Sequence, residues 1–268
     1  MTQANPVNRG STPTELERPP VSCALNIPAC VINLAEQTDR WLAMERECHE
    51  AGLDATRLDA VLGRQLHPDE VARIYSPALN QTLYHQGLTP GEIGCYASHI
   101  QAWRALLATG QPCGLVLEDD VHLAAGFTQV ARQIAQWDAP WDMVKLIGRR
   151  HEQVLTSEPL DANHQLVRYR RVPSFTSAYL ISRRGADKLL ASRVPFGRPI
   201  DIDLRYWWEN DLQIYGVQPY PVRLSAASEV SSIQHHLGQR TAWSRVKKVQ
   251  QQVSYSVGNW LHRRSLSR

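Results

Sequence analysis

The run Gly114-Leu115-Val116-Leu117-Glu118-Asp119-Asp120-Val121 constrains the fold more than any other part of this chain, because an apolar strand runs directly into three acids. A short continuous apolar segment suits a strand covered on both faces, and such strands belong to sheets flanked by helices. In open α/β sheets, ligands bind just beyond the carboxyl ends of the strands. Carboxylates crowded at that edge repel one another and call for a compensating cation. A plain strand end followed by a solvated acidic turn is the competing reading, and the rest of the chain decides between the two.

A chain of 268 residues with 43% hydrophobic content can build one large α/β domain or two small ones around a sizeable core. The net charge of +3 hides an asymmetry: residues 240–268 hold seven Lys and Arg and no acid, which leaves −4 on the residues before them. A basic block on a mildly acidic body suits an anionic surface. The body lacks the basic, aromatic-interleaved stripe of nucleic-acid binders, so no nucleic-acid partner is expected.

The five cysteines, Cys23, Cys30, Cys48, Cys95 and Cys113, have neither zinc-type pairing nor the density of a disulfide framework. Reduced thiols in a cytoplasmic protein are expected. No apolar stretch is long enough to span a bilayer. The first residues, with Pro6, Pro13, Pro19 and Pro20 among polar side chains, lack a signal-peptide core. Residues 1–27 are expected to be a disordered leader, 28–239 a catalytic domain, and 240–268 a basic amphipathic tail.

Strand-like and helix-like segments alternate past the leader. Residues 29–34 predict a strand and 38–52 a helix carrying Trp41, Leu42, Met44 and Cys48 at helical spacing. A second strand is expected at 58–61, and the segment to Gln86 stays unassigned. Thr89-Pro90-Gly91-Glu92 forms a capping box, with Pro90 at the first helical position and Gly110 suited to the left-handed terminator. Further expectations are a helix over 125–137, a strand over 143–147, a hairpin between His151 and Val172, a strand at 177–181 and a helix from Arg184 with Ala186, Leu189 and Leu190 inward. This alternation argues for an α/β fold with a mostly parallel central sheet and helices on both faces.

Three motifs occur in order: Val31-Ile32-Asn33-Leu34 with Asp39-Arg40; Leu88-Thr89-Pro90-Gly91-Glu92-Ile93-Gly94-Cys95 with Ser98-His99 and Trp103; and Leu117-Glu118-Asp119-Asp120-Val121. Together they resemble glycosyltransferase family 25, as do Ser177-Ala178-Tyr179-Leu180-Ile181-Ser182 and Pro199-Ile200-Asp201 further along. Ordered motifs are more specific than any one of them. The resemblance spans about residues 29–235. It implies a GT-A-type nucleotide-sugar-binding fold, a divalent metal and inversion at the anomeric carbon of the transferred sugar.

A leaving nucleoside diphosphate gathers negative charge, so a hard cation held between protein carboxylates and diphosphate oxygens is expected, Mn²⁺ or Mg²⁺ rather than zinc. In an extended segment Glu118 and Asp120 share one face and Asp119 takes the other. Asp120 is the first choice as metal ligand, with Glu118 beside it. Glu118 or Asp119 alternatively holds ribose or sugar hydroxyls, and Glu118 also joins the candidate catalytic set. The resemblance adds Asn33 to the donor-binding candidates and gives Asp39 a base or ribose contact and Arg40 a phosphate contact; a first-turn acid and a solvated arginine are the bland alternatives.

Glu92 is a donor-binding candidate with a competing job in the capping box. Ser98 and His99 are adjacent on the helix, so at most one shares a face with Cys95. His99 either binds donor or orients a carboxylate, or is a satisfied core histidine. A Cys95–His99 zinc pair has no second pair to complete it. Inversion requires a general base on the acceptor hydroxyl, and Asp201 is the candidate. Asp203 reads instead as a cap for a helix over 204–212. Ser231-Ser232-Ile233-Gln234-His235-His236 falls where many GT-A enzymes supply a last metal or diphosphate ligand, a role open to either histidine with His235 the candidate taken, and a surface loop is the bland alternative.

Trp243, Val246, Val249, Val253, Val257, Trp260 and Leu261 recur at helical spacing among Arg245, Lys247, Lys248, Arg263 and Arg264. This pattern fits either a helix lying in the plane of an anionic membrane or a terminal helix packed on the domain. The expected protein is a cytoplasmic glycosyltransferase, peripheral on the inner face of the cytoplasmic membrane. It takes a UDP-sugar donor, UDP-galactose first, and a glycan or glycolipid acceptor such as lipopolysaccharide core. A metal-dependent phosphohydrolase using the same acids and a noncatalytic binding module are the alternatives.

Overall fold

The structure, a computed structural model, describes residues 27–149, 151–225 and 242–266. The segment expected to be a leader lies outside them apart from Ile27, which is buried in the core. The strands are β1 (Ala29–Asn33), β2 (Ala55–Asp59), β3 (Cys113–Glu118), β4 (Val121–Leu123), β5 (Met143–Lys145), β6 (Val154–Pro159), β7 (Gln165–Tyr169), β8 (Ala178–Ser182), β9 (Ile214–Gln218) and β10 (Val222–Leu224). The helices are α1 (Thr38–Glu50), α2 (Pro68–Ile74), α3 (Pro77–Leu83), α4 (Pro90–Thr109), α5 (Phe127–Ala135), α6 (Arg183–Ser192), α7 (Ile200–Asp203) and α8 (Ala242–Leu266).

Eight strands form one sheet in the order β2-β1-β3-β8-β5-β9-β7-β6, and β4 pairs with β10 in a small second ribbon. The α/β class holds, but the sheet is mixed rather than mostly parallel. Pairs β1–β2, β1–β3 and β5–β9 are parallel, whereas β3–β8, β5–β8, β7–β9 and β6–β7 are antiparallel. Strand direction is set by the path of the connections, and an apolar run such as β8 reads the same either way.

Alternation along the strands divides the core into two layers. Val31, Leu115, Leu117 and Leu180 face Met44 and Cys48 of α1 and Phe127, Val130 and Ile134 of α5. Ile32, Val116, Tyr179 and Ile181 face Tyr96, Ile100 and Trp103 of α4 and Ala186 and Leu189 of α6. Leu42, expected inward, is 50% exposed, because α1 turns only one narrow side to the sheet.

The capping box forms as the sequence predicts: the Thr89 amide donates to Glu92 Oε2 at 2.7 Å and the Glu92 amide donates to Thr89 Oγ1 at 3.2 Å. Gly110 closes α4 at φ 74°, a conformation that costs glycine nothing. The loop after β2 crosses the first turn of α4 so closely that a Cβ on Gly63 would stand 1.8 Å from the Pro90 carbonyl oxygen. That crossing fixes one wall of the site.

No helix of 204–212 forms. Instead α7 is a single turn that ends at Asp203, and a 3-10 turn covers Trp207–Glu209. Asp203 is 3% exposed and caps nothing; it accepts from Tyr96 Oη at 2.7 Å and Arg198 Nη1 at 3.0 Å. Arg198 also grips Glu209 with both terminal nitrogens, at 2.8 and 2.9 Å. A charge-assisted network of this kind outweighs a local helix preference.

Candidate functional site

The strand register builds the site. Ile32 pairs with Glu118, so the next residues, Asn33 and Asp119, meet at the carboxyl edge of β1 and β3. Asn33 Nδ2 donates to Asp119 Oδ2, and Arg40, in the first turn of α1, forms an ion pair with Asp119 Oδ1. Arg40 Nη2 also stands 3.6 Å from Asp120 Oδ2. Arg40 thus brings one positive charge to the acidic edge. Burial raises the Asp119 carboxyl above its ordinary range, against the opposing pull of Asn33 and Arg40.

Glu118 stays in the strand, so it shares a face with Val116 and points toward α4. Asp119 and Asp120 form the turn into β4, so strand alternation stops at Glu118 and no longer places Asp120 beside it. Ser177, just before β8, donates to Glu118 Oε2 at 3.0 Å, and His99 Nε2 stands 3.5 Å from Glu118 Oε1. Burial alone would raise the Glu118 carboxyl; His99, Ser177 and Arg40 outweigh it and hold the group below its ordinary value.

His99 and Trp103, four residues apart on α4, meet one hydroxyl. Trp103 Nε1 donates to Tyr179 Oη at 2.9 Å, and His99 Nδ1 lies 2.8 Å from the same oxygen. With one lone pair taken by Trp103, the Tyr179 proton is best used toward Nδ1, which leaves the imidazole proton on Nε2, directed at Glu118. Trp103, Tyr179 and His99 thus form a hydrogen-bonded chain through the core, and the far side of the imidazole approaches Glu118 at 3.5 Å without a hydrogen bond between them. Tyr179 and Trp103 as positioning residues were not legible in the sequence, because 76 residues separate them.

A cleft of about 440 Å³ opens above this edge, lined by Ile32, Arg40, Val61, Gly63, Cys95 and Glu118 among others. Ser98 and His99 also line it, but the Ser98 hydroxyl accepts from the Val61 amide and donates to the Gly94 carbonyl, both at 2.8 Å. Its observed work is to hold the loop after β2 against α4. Asp39, next to Arg40, and Glu92, in its capping box, do not line this cleft.

Among the described residues, one trio of metal-capable side chains converges: Cys95, His99 and Glu118, with ligand atoms within 4.8 Å of one another. Glu118 supplies the third member that spacing alone left missing. Desolvation in the cleft and the carboxylates of Glu118, Asp201, Glu92 and Asp120 push the Cys95 thiol up, and a thiol and a protonated Nε2 are poor ligands. The oxygens of Asp119 and Asp120 converge instead on the Arg40 guanidinium, and carboxylate oxygens are the ligand type that hard Mn²⁺ or Mg²⁺ takes. His235 lies outside the described residues.

Asp201 sits in α7. Burial pushes its carboxyl up to about 6, helped by Glu92 and opposed by the Ile202 amide, Lys145 and Arg205. Lys145, at the end of β5 and 1% exposed, donates to the Phe175 carbonyl, and burial lowers its ammonium to about 7. Because β3 and β5 run the same way, Glu118 and Lys145 reach the same edge of the sheet. The Arg198–Asp203–Glu209 network locks the turn that carries Asp201.

The family described as Glycosyltransferase family 25 (LPS biosynthesis protein) matches residues 26–204. Over 251 residues the chain is 29% identical to Procollagen galactosyltransferase 1-B of Xenopus laevis, covering 81% of this chain and 40% of that protein. It is 30% identical over 195 residues to a Glycosyltransferase 25 family member of Drosophila melanogaster, covering 70% and 31%. It is 28% identical over 211 residues to the Probable inactive glycosyltransferase 25 family member 3 of Bos taurus, covering 70% and 35%. The chain thus spans well under half the length of these relatives.

Proposed function

Because the chain belongs to glycosyltransferase family 25, we propose that it transfers a hexose, galactose from UDP-galactose, with inversion onto a cell-surface glycan precursor such as lipopolysaccharide core. The observation that carries this reading is the cleft above β1 and β3, lined by the Arg40 guanidinium and the carboxylates of Glu118 and Asp119 at the edge that receives phosphorylated ligands in α/β sheets; Asp120 stands beside it, 3.6 Å from Arg40. In this reading Arg40 meets the donor diphosphate. Asp119 and Asp120 would hold Mn²⁺ or Mg²⁺, which supplies charge neutralisation for the leaving UDP.

Glu118, ionised and oriented by His99 and Ser177, presents a fixed carboxylate to the hydroxyls of the transferred sugar. Asp201 takes the proton of the acceptor hydroxyl as that oxygen attacks the anomeric carbon, and the C–O bond to UDP breaks on the opposite side. A carboxyl with a value of about 6 is a stronger base than an ordinary aspartate and remains mostly ionised at neutral pH.

Calorimetric titration of UDP into the protein, with and without Mn²⁺ and repeated on Asp120→Ala, tests the reading. Binding that needs Mn²⁺ and weakens at least about tenfold in the variant, a loss of about 1.4 kcal/mol, is expected. UDP that fails to bind with the metal present overturns it. Release of inorganic phosphate from UDP without any sugar acceptor favours a hydrolase instead.

A further inference from the structure

Helix α8 docks with an unexpected face. Tyr255 and Asn259 are buried, Trp207 Nε1 donates to Asn259 Oδ1 at 3.2 Å, Asn259 Nδ2 donates to the Arg170 carbonyl at 2.7 Å, and His262 stacks on Trp208. Gln251 continues this face by donating to the Leu83 carbonyl at 2.6 Å. The apolar stripe lies on the opposite side. Val246, Val249, Val253, Val257, Trp260 and Leu261 are 46–58% exposed. A helix held to the domain by polar and aromatic contacts while its valines face water has its outer face left for something else.

Beside that stripe lies a second hollow of about 300 Å³, lined by Gln153, Arg170, Arg171, Ser256, Asn259, Trp260 and Arg263. It holds three guanidinium groups and no carboxylate, and Trp260 belongs to both the hollow and the stripe. Arg171 is committed in part to Ser256, which accepts from its Nη2 at 2.7 Å. The helix itself carries no acid. Apolar stripe, interfacial tryptophan and cationic hollow stand side by side, as recognition of a surface with acyl chains beneath a layer of phosphates requires.

We propose that the outer face of α8 and the Arg170–Arg171–Arg263 hollow form a docking surface for an anionic phospholipid bilayer. The valines and Trp260 enter the boundary between headgroups and acyl chains, and a headgroup phosphate occupies the hollow. No helix among the described residues is long and apolar enough to cross a membrane, so the contact is in-plane. The proposal does not rest on the transferase reading, since neither element takes part in the cleft above β1 and β3.

Flotation of the full chain with vesicles of phosphatidylcholine alone, or with 30% phosphatidylglycerol (about a third of the lipid, enough to give a negative surface), tests it. The protein is expected to float with the anionic vesicles and not the neutral ones, and to be released by high salt. Val249→Asp with Val253→Asp is expected to cut partitioning about tenfold or more. Arg170→Ala with Arg263→Ala is expected to cut it about fivefold per arginine. Unchanged circular dichroism and UDP titration show that these substitutions leave the fold and the cleft intact. Failure to float with anionic vesicles overturns the proposal, as does flotation that both double variants leave unchanged. A stable dimer in sedimentation that Val253→Asp dissociates, without vesicle binding, assigns the stripe to a second copy of the chain and equally overturns it.

Discussion

Asp201 offers the sharpest quantitative test of the acceptor side. At a value of about 6, ionisation is about 9% at pH 5 and about 91% at pH 7, so a rate that needs the carboxylate rises about tenfold across that interval. At its ordinary value of 3.8, the group would be ionised throughout and the profile flat. The same shift has a stability consequence. The folded state holds this proton more tightly than the unfolded chain, so the associated stability, about 3 kcal/mol for a two-unit shift, is fully present below pH 3.8 and lost as pH rises through about 6. Asp201→Asn removes the cost of burying the charge. The variant is expected to lose transfer activity yet to unfold at higher urea than the parent at pH 8, with the difference vanishing near pH 4. The assay pairs UDP release from UDP-galactose with an acceptor glycan, over pH 4.5–8, with urea unfolding at the two ends. A flat profile between pH 5 and 7, together with no gain in stability at pH 8, would falsify the assignment of Asp201 as a buried base.

Lys145→Met removes a positive charge that pulls the Asp201 carboxyl down, so the acid limb of the rate profile is expected to move upward in pH; a downward move contradicts the coupling. Tyr179→Phe leaves the Trp103 donor and His99 Nδ1 without partners in the core, and a loss of about 1–3 kcal/mol in urea unfolding is expected, with a weaker donor titration if Glu118 is disoriented. Gly63→Ala drives a Cβ into the Pro90 carbonyl and is expected to lower both thermal stability and UDP affinity, whereas Gly87→Ala, whose Cβ meets nothing within 4 Å, changes neither. Thr89→Ala removes the cap of α4 and is expected to cost about 1 kcal/mol by the same unfolding measurement.

Local chemistry makes some elements legible in the sequence alone. The capping box and Gly110 bracket α4, and the apolar run from Gly114 gives β3, because each signal is contained within a few neighbouring residues. The segment after β2 was opaque for the opposite reason. Helices α2 and α3 are only seven residues each, and α2 buries none of its side chains, so no periodicity records them. Strand direction was equally hidden, which is why a mostly parallel sheet was expected where a mixed one exists. Asp203 shows the same limit at a single residue: its sequence neighbours suggest a cap, while its partners, Tyr96 and Arg198, reach it through the folded core. In α8 the spacing of the valines correctly marks one face of a helix, but spacing does not say which face the domain takes. Tyr255 and Asn259 took that place through ring contacts and two amide hydrogen bonds.

The mixed sheet also explains how one edge gathers both Glu118 and Lys145. Parallel strands β1, β2 and β3 bring Asn33, Asp119 and the loop after β2 to one side, where α1 adds Arg40. Antiparallel β8 then reverses the chain between β3 and β5, so the segment entering β8 passes along the same edge. In that segment Phe175 accepts from Lys145 and Ser177 donates to Glu118, two residues apart. A parallel strand at this position would begin at the far edge and offer neither contact. The reversal at β8 therefore links the carboxylate that lines the cleft to the lysine whose charge acts on Asp201. The 175–177 segment touches both Glu118 and Lys145, so a shift of that segment would reach the two side chains together.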